Sequence, residues 1–167
     1  MALSSADVIR LLQLRPHPEG GHYRETHRGA DLPFELPGRG LRSTGTAIFF
    51  LLEPGEFSAF HAVAFDEVWH HYLGSPLELV TIDEAGALRS QRLGSNLLLG
   101  ESPQLVVPPF VLQAARPLGP GFTLCGCTVA PGFDFADFEM PPREDLIARH
   151  PAHRDLITAL TRAPGER

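Results

Sequence analysis

Lysine is absent from the 167-residue chain, so all 14 of its basic side chains are arginine. Without lysine there is no Schiff-base chemistry and no lysine general base, which removes whole reaction classes. Cysteine is nearly absent too. Cys125 and Cys127 are the two, and side chains two apart in a strand-like run share a face and do not bridge each other readily. Neither a Cys-x-x-Cys redox centre nor a cysteine zinc site follows, and both read as small core residues. No run approaches the roughly 20 apolar residues of a membrane span, and the first residues lack a basic-then-apolar signal. A soluble, cytoplasmic protein without membrane partners is expected. The net charge of −6 comes with no basic run, which argues against nucleic acid as a partner.

What is present is a hydrophobic content of 43%, enough for a core without staples, over a length that suits one domain, residues 1–167. Ser4-Ser5-Ala6-Asp7 supplies an N-cap ahead of Val8, Ile9, Leu11 and Leu12 at helical spacing, predicting a short helix over 5–13 that packs outside the sheets. Pro16 and Pro18 end it. Gly20-Gly21 makes a turn, and alternation predicts a strand over 22–28. His17, His22 and His27 recur every five residues, which fits neither a strand nor a helix ligand set, so they read as exposed or hydrogen-bonded. Residues 30–42, rich in Gly and Pro, read as a loop that could cover a barrel mouth. The apolar run 44–52 is a strand buried on both sides, and further strands are predicted at 58–63, 67–73, 77–82, 87–93, 104–107, 111–116 and 122–129. Phe133 and Phe135 read as end packing. Proline and acids in the first turns predict two closing helices, from 142 and over 151–161. Many short strands broken by Gly and Pro indicate an all-β double-sheet jelly roll with short flanking helices.

Chemistry concentrates between Gly55 and Gly74. That stretch holds three of the eight histidines, the acids Asp66 and Glu67, and the one tryptophan, Trp69. Its spacing, Gly55, His61, Val63, Glu67, Gly74, resembles the first motif of the cupin superfamily, with Val63 where a second histidine is usual. Strand alternation points positions 61 and 63 into one barrel, and a turn brings Glu67 back opposite them. The second cupin motif resembles Pro108 to Gln113, with phenylalanine for glycine and Gln113 for histidine. Further segments narrow the resemblance. Pro16 to Gly21, Asp66 to His70, Pro76 to Leu79 and Val129 to Glu139 are similar to the type-five cupin family, long described as a domain of unknown function. That resemblance implies a double-stranded β-helix and a homodimer. It assigns no reaction, because fold alone does not.

His61 and Glu67 are the candidate catalytic residues. With Gln113 they offer one imidazole, one carboxylate and one amide, which suits a weakly held divalent metal. Alternation from Glu67 puts Trp69 and His71 on its face, and His70 belongs to the family pattern; Tyr23 and Glu25 share a parity that could enter the same pocket while Arg24 points away. These are the candidate ligand-binding residues. Three readings stay open: acid/base chemistry of the epimerase or isomerase kind by His61 and Glu67, a metal-dependent oxygenase or lyase using His61, Glu67 and Gln113, and a non-catalytic pocket for a small metabolite walled by aromatic rings.

Overall fold

A computed structural model describes residues 3–163. The N-terminal helix α1 (Ser5–Leu12) opens on a capping box in which the Ser4 hydroxyl accepts from the Asp7 N–H and Asp7 answers to the Ser4 backbone, satisfying donors that the first turn leaves open. It stops one residue short of the expected bound, because Gln13 takes the left-handed conformation that ends a helix. Eleven strands follow: β1 (Arg15–Pro16), β2 (His22–Arg28), β3 (Thr46–Leu52), β4 (Ser58–Val63), β5 (Asp66–Gly74), β6 (Leu77–Ile82), β7 (Leu88–Leu93), β8 (Gln104–Val107), β9 (Leu112–Pro117), β10 (Thr123–Ala130) and β11 (Phe138–Glu139). Helices α2 (Arg143–Arg149) and α3 (Arg154–Ala159) close the described chain. The run from Pro151 begins as a 3-10 turn before α3, so it is shorter as an α-helix than its sequence suggests.

The strands form two antiparallel sheets, ordered β1-β2-β3-β10-β5-β8 and β11-β4-β9-β6-β7, a double-stranded β-helix of the cupin kind. Sequence neighbours such as β9 and β10 lie in different sheets, so beside the consecutive runs β1-β2-β3 and β6-β7 each sheet joins strands distant in the chain. Inside the sandwich one cluster joins Phe50, Trp69, Leu77, Leu79 and Leu93 with both cysteines. Each such aliphatic side chain removed from water stabilises the fold by roughly 2 kcal/mol. Cys125 and Cys127 are free thiols in this wall, and burial pushes the Cys125 thiol up, well away from its ionised form.

The outer faces are covered by the helices. Val8 of α1 and Leu14 pack on Leu51 and Leu124, and Leu146 of α2 with Ile157 of α3 packs on Phe60, Val80 and Ile82. The strand at 46–52 departs from its predicted burial. Its first half is only half-buried at Ala47, Ile48 and Phe49, because Ile48 borders a cavity and α1 covers only the later half. Hydrocarbon therefore fills one part of the sandwich and leaves the other hollow.

Loop 30–42 is fastened by charge. The guanidinium of Arg42 donates to both Asp137 oxygens at 2.6 and 3.1 Å, and Arg39 adds a third bond at 2.6 Å. Burial works against an ionised Asp137, yet the two guanidiniums hold its carboxyl below the usual range. The latch ties this loop to the Phe133–Phe138 segment, whose rings edge the hollow.

Candidate active site

The hollow is a cavity of about 390 Å³. Its floor begins with the segment between β1 and β2. Gly20 and Gly21 adopt φ of +117° and +66°, and a Cβ on either would collide with backbone carbonyls, of Phe57 at Gly20 and of Leu51 at Gly21. Only glycine permits so close a pass. The preceding Glu19 is thereby pressed into the sandwich, its carbonyl accepting from the Ala59 N–H at 2.9 Å and from Arg162 at 2.6 Å. Its side chain is buried, and the Ser58 hydroxyl donates to Oε1 at 2.9 Å. His17 enters the same space between Tyr23 and Phe138.

The other oxygen of Glu19 faces two imidazoles: His61 Nε2 at 3.4 Å and His17 Nδ1 at 3.7 Å. These separations would suit ion pairs, but the surroundings favour neutral partners. Burial pushes the Glu19 carboxyl up to about 8, and burial, helped by the charge His61 would carry if protonated and by that of Arg15, lowers His17 to about 4. Burial also lowers His61, although the Glu67 charge pulls it back. Hydrogen bonds fix the tautomers. His61 Nδ1 lies 2.8 Å from the Ala59 carbonyl, which can only accept, so Nδ1 carries the hydrogen and Nε2 a lone pair. His17 Nδ1 accepts from the Glu19 N–H at 3.3 Å, placing its proton on Nε2. The cavity floor thus holds a carboxylic acid beside a basic imidazole nitrogen, with no full charge on either.

Glu67 stands on the opposite side, and its carboxyl is raised mainly by burial. Gln113 donates to Glu67 Oε2 at 2.5 Å and accepts from Trp69 Nε1 at 2.9 Å. The indole N–H can only donate, so it fixes which end of the amide is oxygen. Gln113 therefore turns its N–H to Glu67 and spends its oxygen on Trp69. Gln113 is fully buried and does not line the cavity, and Val63 presents hydrocarbon there. The donor set His61, Glu67 and Gln113 does not fit a metal ion at this place.

Of the sequence candidates, His61, Glu67, Tyr23 and Glu25 line one cavity. Trp69 does not. It is fully buried in the hydrocarbon cluster beside Phe50, at 5.8 Å between rings, and reaches the site only through Gln113. His71 shares the inward parity of Glu67 up to a register shift in the pairing of β5 with β10, and there its Nε2 lies 3.2 Å from the Ser75 carbonyl. A bulge rotates the strand after it. His70 faces outward, between the Thr128 hydroxyl at 3.0 Å and the Gln104 amide at 3.2 Å, stacked on Tyr72. Glu25 is held by both oxygens to Arg28, at 3.0 and 2.7 Å.

Sequence reasoning missed His17 and Glu19. Their five-residue and loop spacing has no strand period; the available signal was the pair of titratable side chains set immediately before Gly-Gly in the opening motif. A separate candidate metal set, His22, Glu53 and Glu56, has ligand atoms within 4.8 Å of one another. Two of them, His22 and Glu56, border a second cleft on the other side of the Gly20-Gly21 segment, and His17 lines both spaces.

A profile of the cupin superfamily (DUF985) matches residues 6–141. The chain belongs to this family. An uncharacterized Saccharomyces cerevisiae protein, YML079W, is 30% identical over 159 residues, covering 86% of this chain and 78% of its own. Protein SO0799 from Shewanella oneidensis superposes with a TM-score of 0.89 at 37% identity, over 96% of this chain and 99% of the other. A hypothetical protein from Leishmania major gives 0.87 at 30% identity, over 96% and 100%. Bacillus subtilis oxalate decarboxylase is a distant cupin neighbour, with a TM-score of 0.54 at 16% identity over 38% of its chain, a likeness of fold alone. Among the described residues no helix is long and apolar enough to cross a membrane.

Proposed function

We propose that this DUF985 cupin binds a small carbonyl compound in the cavity and moves a proton at the carbon beside the carbonyl, as an isomerase or epimerase does. The observation that carries the reading is the opposed pair on the floor: the lone pair of His61 Nε2 3.4 Å from the Glu19 carboxyl, whose proton burial retains to about pH 8. Two titratable groups driven to neutral forms side by side are an acid and a base ready at the same pH. In this reading Glu19 donates its hydrogen bond to the carbonyl oxygen, and His61 Nε2 takes the neighbouring C–H proton. Glu67 then favours the imidazolium so formed, since its charge raises the His61 pKa. His61 returns the proton to the next atom, giving an isomer, or to the same carbon after the planar intermediate has turned its other face to the imidazole, giving an epimer. Phe133, Phe135 and Phe138 give the cavity edge an apolar lining.

The metal-dependent reading has less support, because Val63 offers no donor and Gln113 does not line the cavity, which removes two of the four usual donor positions. The test is solvent exchange. Small ketones, keto-sugars and oxo acids incubated with the protein in D2O should include a compound that takes up deuterium beside its carbonyl, followed by proton NMR. His61→Gln and Glu19→Gln should each abolish that uptake. A panel in which the protein accelerates exchange of no member would end the proposal.

A further inference from the structure

The charges around the cavity are ordered by depth. On the floor Glu19, His61 and Glu67 are buried, and among the described residues no lysine or arginine lines that part. A carboxylate or phosphate entering there would meet two carboxyl groups and be stripped of water without compensation. The Arg162 guanidinium behind them does not line the cavity and is engaged by the Glu19 and Phe57 carbonyls. Three exposed charged residues, Arg15, Glu25 and Arg28, lie at the outer end with the half-buried Asp134. Arg28 is already engaged, by both oxygens of Glu25 and by the Phe133 carbonyl at 3.2 Å.

Arg15 is different. It has no ion pair or side-chain hydrogen bond among the described residues, and its guanidinium rests on the Tyr23 ring at 5.0 Å. Stacking uses the flat face of the group and leaves the N–H donors at its edge open, already oriented. Strand pairing holds the arrangement, since Arg15 lies opposite Tyr23 in β1–β2. Between this cation and the floor the lining is aromatic. Phe135 stays half exposed while stacked on His17 at 6.1 Å, an apolar ring facing the space a ligand would fill.

We infer that the ligand is a monoanionic carbonyl compound that enters with its uncharged carbonyl end first, lays a ring-sized apolar body along Tyr23, His17 and Phe135, and leaves its single carboxylate outside on Arg15. This rests on the acid/base reading for the position of the carbonyl, and goes beyond it in assigning charge, order and a recognition residue. Small dicarboxylates are excluded as ligands, because one of their charges would have to sit beside Glu19 and Glu67.

Three probes separate the parts: 4-acetylbenzoate, its neutral primary amide, and succinate, titrated calorimetrically into the wild-type protein and Arg15→Gln. The substituted side chain is exposed, so the variant should fold, with circular dichroism as the control. The oxo acid should bind about tenfold more tightly than the amide, the worth of one charge-assisted contact. Arg15→Gln should bring the acid down to the level of the amide and leave the amide unchanged, and added salt should weaken the acid alone. Equal binding of acid and amide, an acid indifferent to Arg15→Gln, displacement by succinate, or no binding of any probe would each overturn the inference. Deuterium uptake at the methyl beside the ketone is read in parallel. Binding in the stated order with no uptake sinks the catalytic reading and spares the orientation; uptake without discrimination does the reverse.

Discussion

Glu19 illustrates how one buried proton links the site to the stability of the whole chain. Its carboxyl holds the proton to about pH 8 when folded, against an ordinary value of 4.5. Between those limits the native state carries a proton that the unfolded chain has lost, so raising the pH favours unfolding. His17, lowered to about 4 from 6.5, acts in the opposite sense: its contribution is complete above 6.5 and is lost as the pH falls toward 4. Glu67 is raised and His61 lowered, adding to each side in turn. The two kinds oppose each other below 6.5, and the carboxyls act alone above it. Urea unfolding should therefore show stability falling by about 2 kcal/mol between pH 6.5 and 8 from Glu19 alone, and Glu19→Gln should flatten much of that slope. A wild-type midpoint that stays level across this window would contradict a protonated Glu19. None of this was legible in the sequence, because Glu19 lies in a Gly-Gly loop without periodicity. Its burial follows from two close backbone approaches that a linear reading cannot see, whereas the strand parity of Tyr23 and Glu25 could be read directly.

At the scale of elements, β9 supports the site without entering it. Gln113 joins the indole of β5 to the carboxyl of the same strand, and Trp69 and Glu67, two residues apart, are thus locked through one amide. Gln113→Leu would leave a buried N–H and a buried carboxyl without their partner and should cost about 3 kcal/mol, read as a lower urea midpoint. Gln113→Glu should recover little, because a second carboxyl beside Glu67 replaces attraction with repulsion. An unchanged midpoint in the leucine variant would mean that the amide contributes nothing. Strand positions were accessible to sequence because alternation is local. The roles of Trp69, His71 and Gln113 were not. The first depends on a cross-strand partner 44 residues away, and the second on a bulge that has no signature in the residues around it.

For the molecule as a whole, the arginine latch decides whether the cavity has a fixed edge. Arg39 and Arg42 reach Asp137 across 98 and 95 residues, and no local pattern announces such a pair. Asp137→Ala should destabilise the fold by about 3 kcal/mol, since Arg42 is left buried and uncompensated. It should also quicken hydrogen exchange in the Phe133–Phe138 segment relative to β3 and β10. Uniform protection in the variant would argue that the aromatic edge is held by packing alone. The two-sheet architecture was legible because Gly and Pro punctuate short apolar runs; the order of strands was not, since pairs such as β3 with β10 and β4 with β9 join segments far apart in the chain.

The thiol of Cys125, fully enclosed and hard to ionise, makes the protein its own clock. Iodoacetamide cannot reach that sulfur until the sandwich parts, so the rate of alkylation at mild alkalinity counts opening events one molecule at a time. A ligand that seats in the hollow should slow that count in proportion to its occupancy, giving a readout of binding that needs neither a chromophore nor a known reaction.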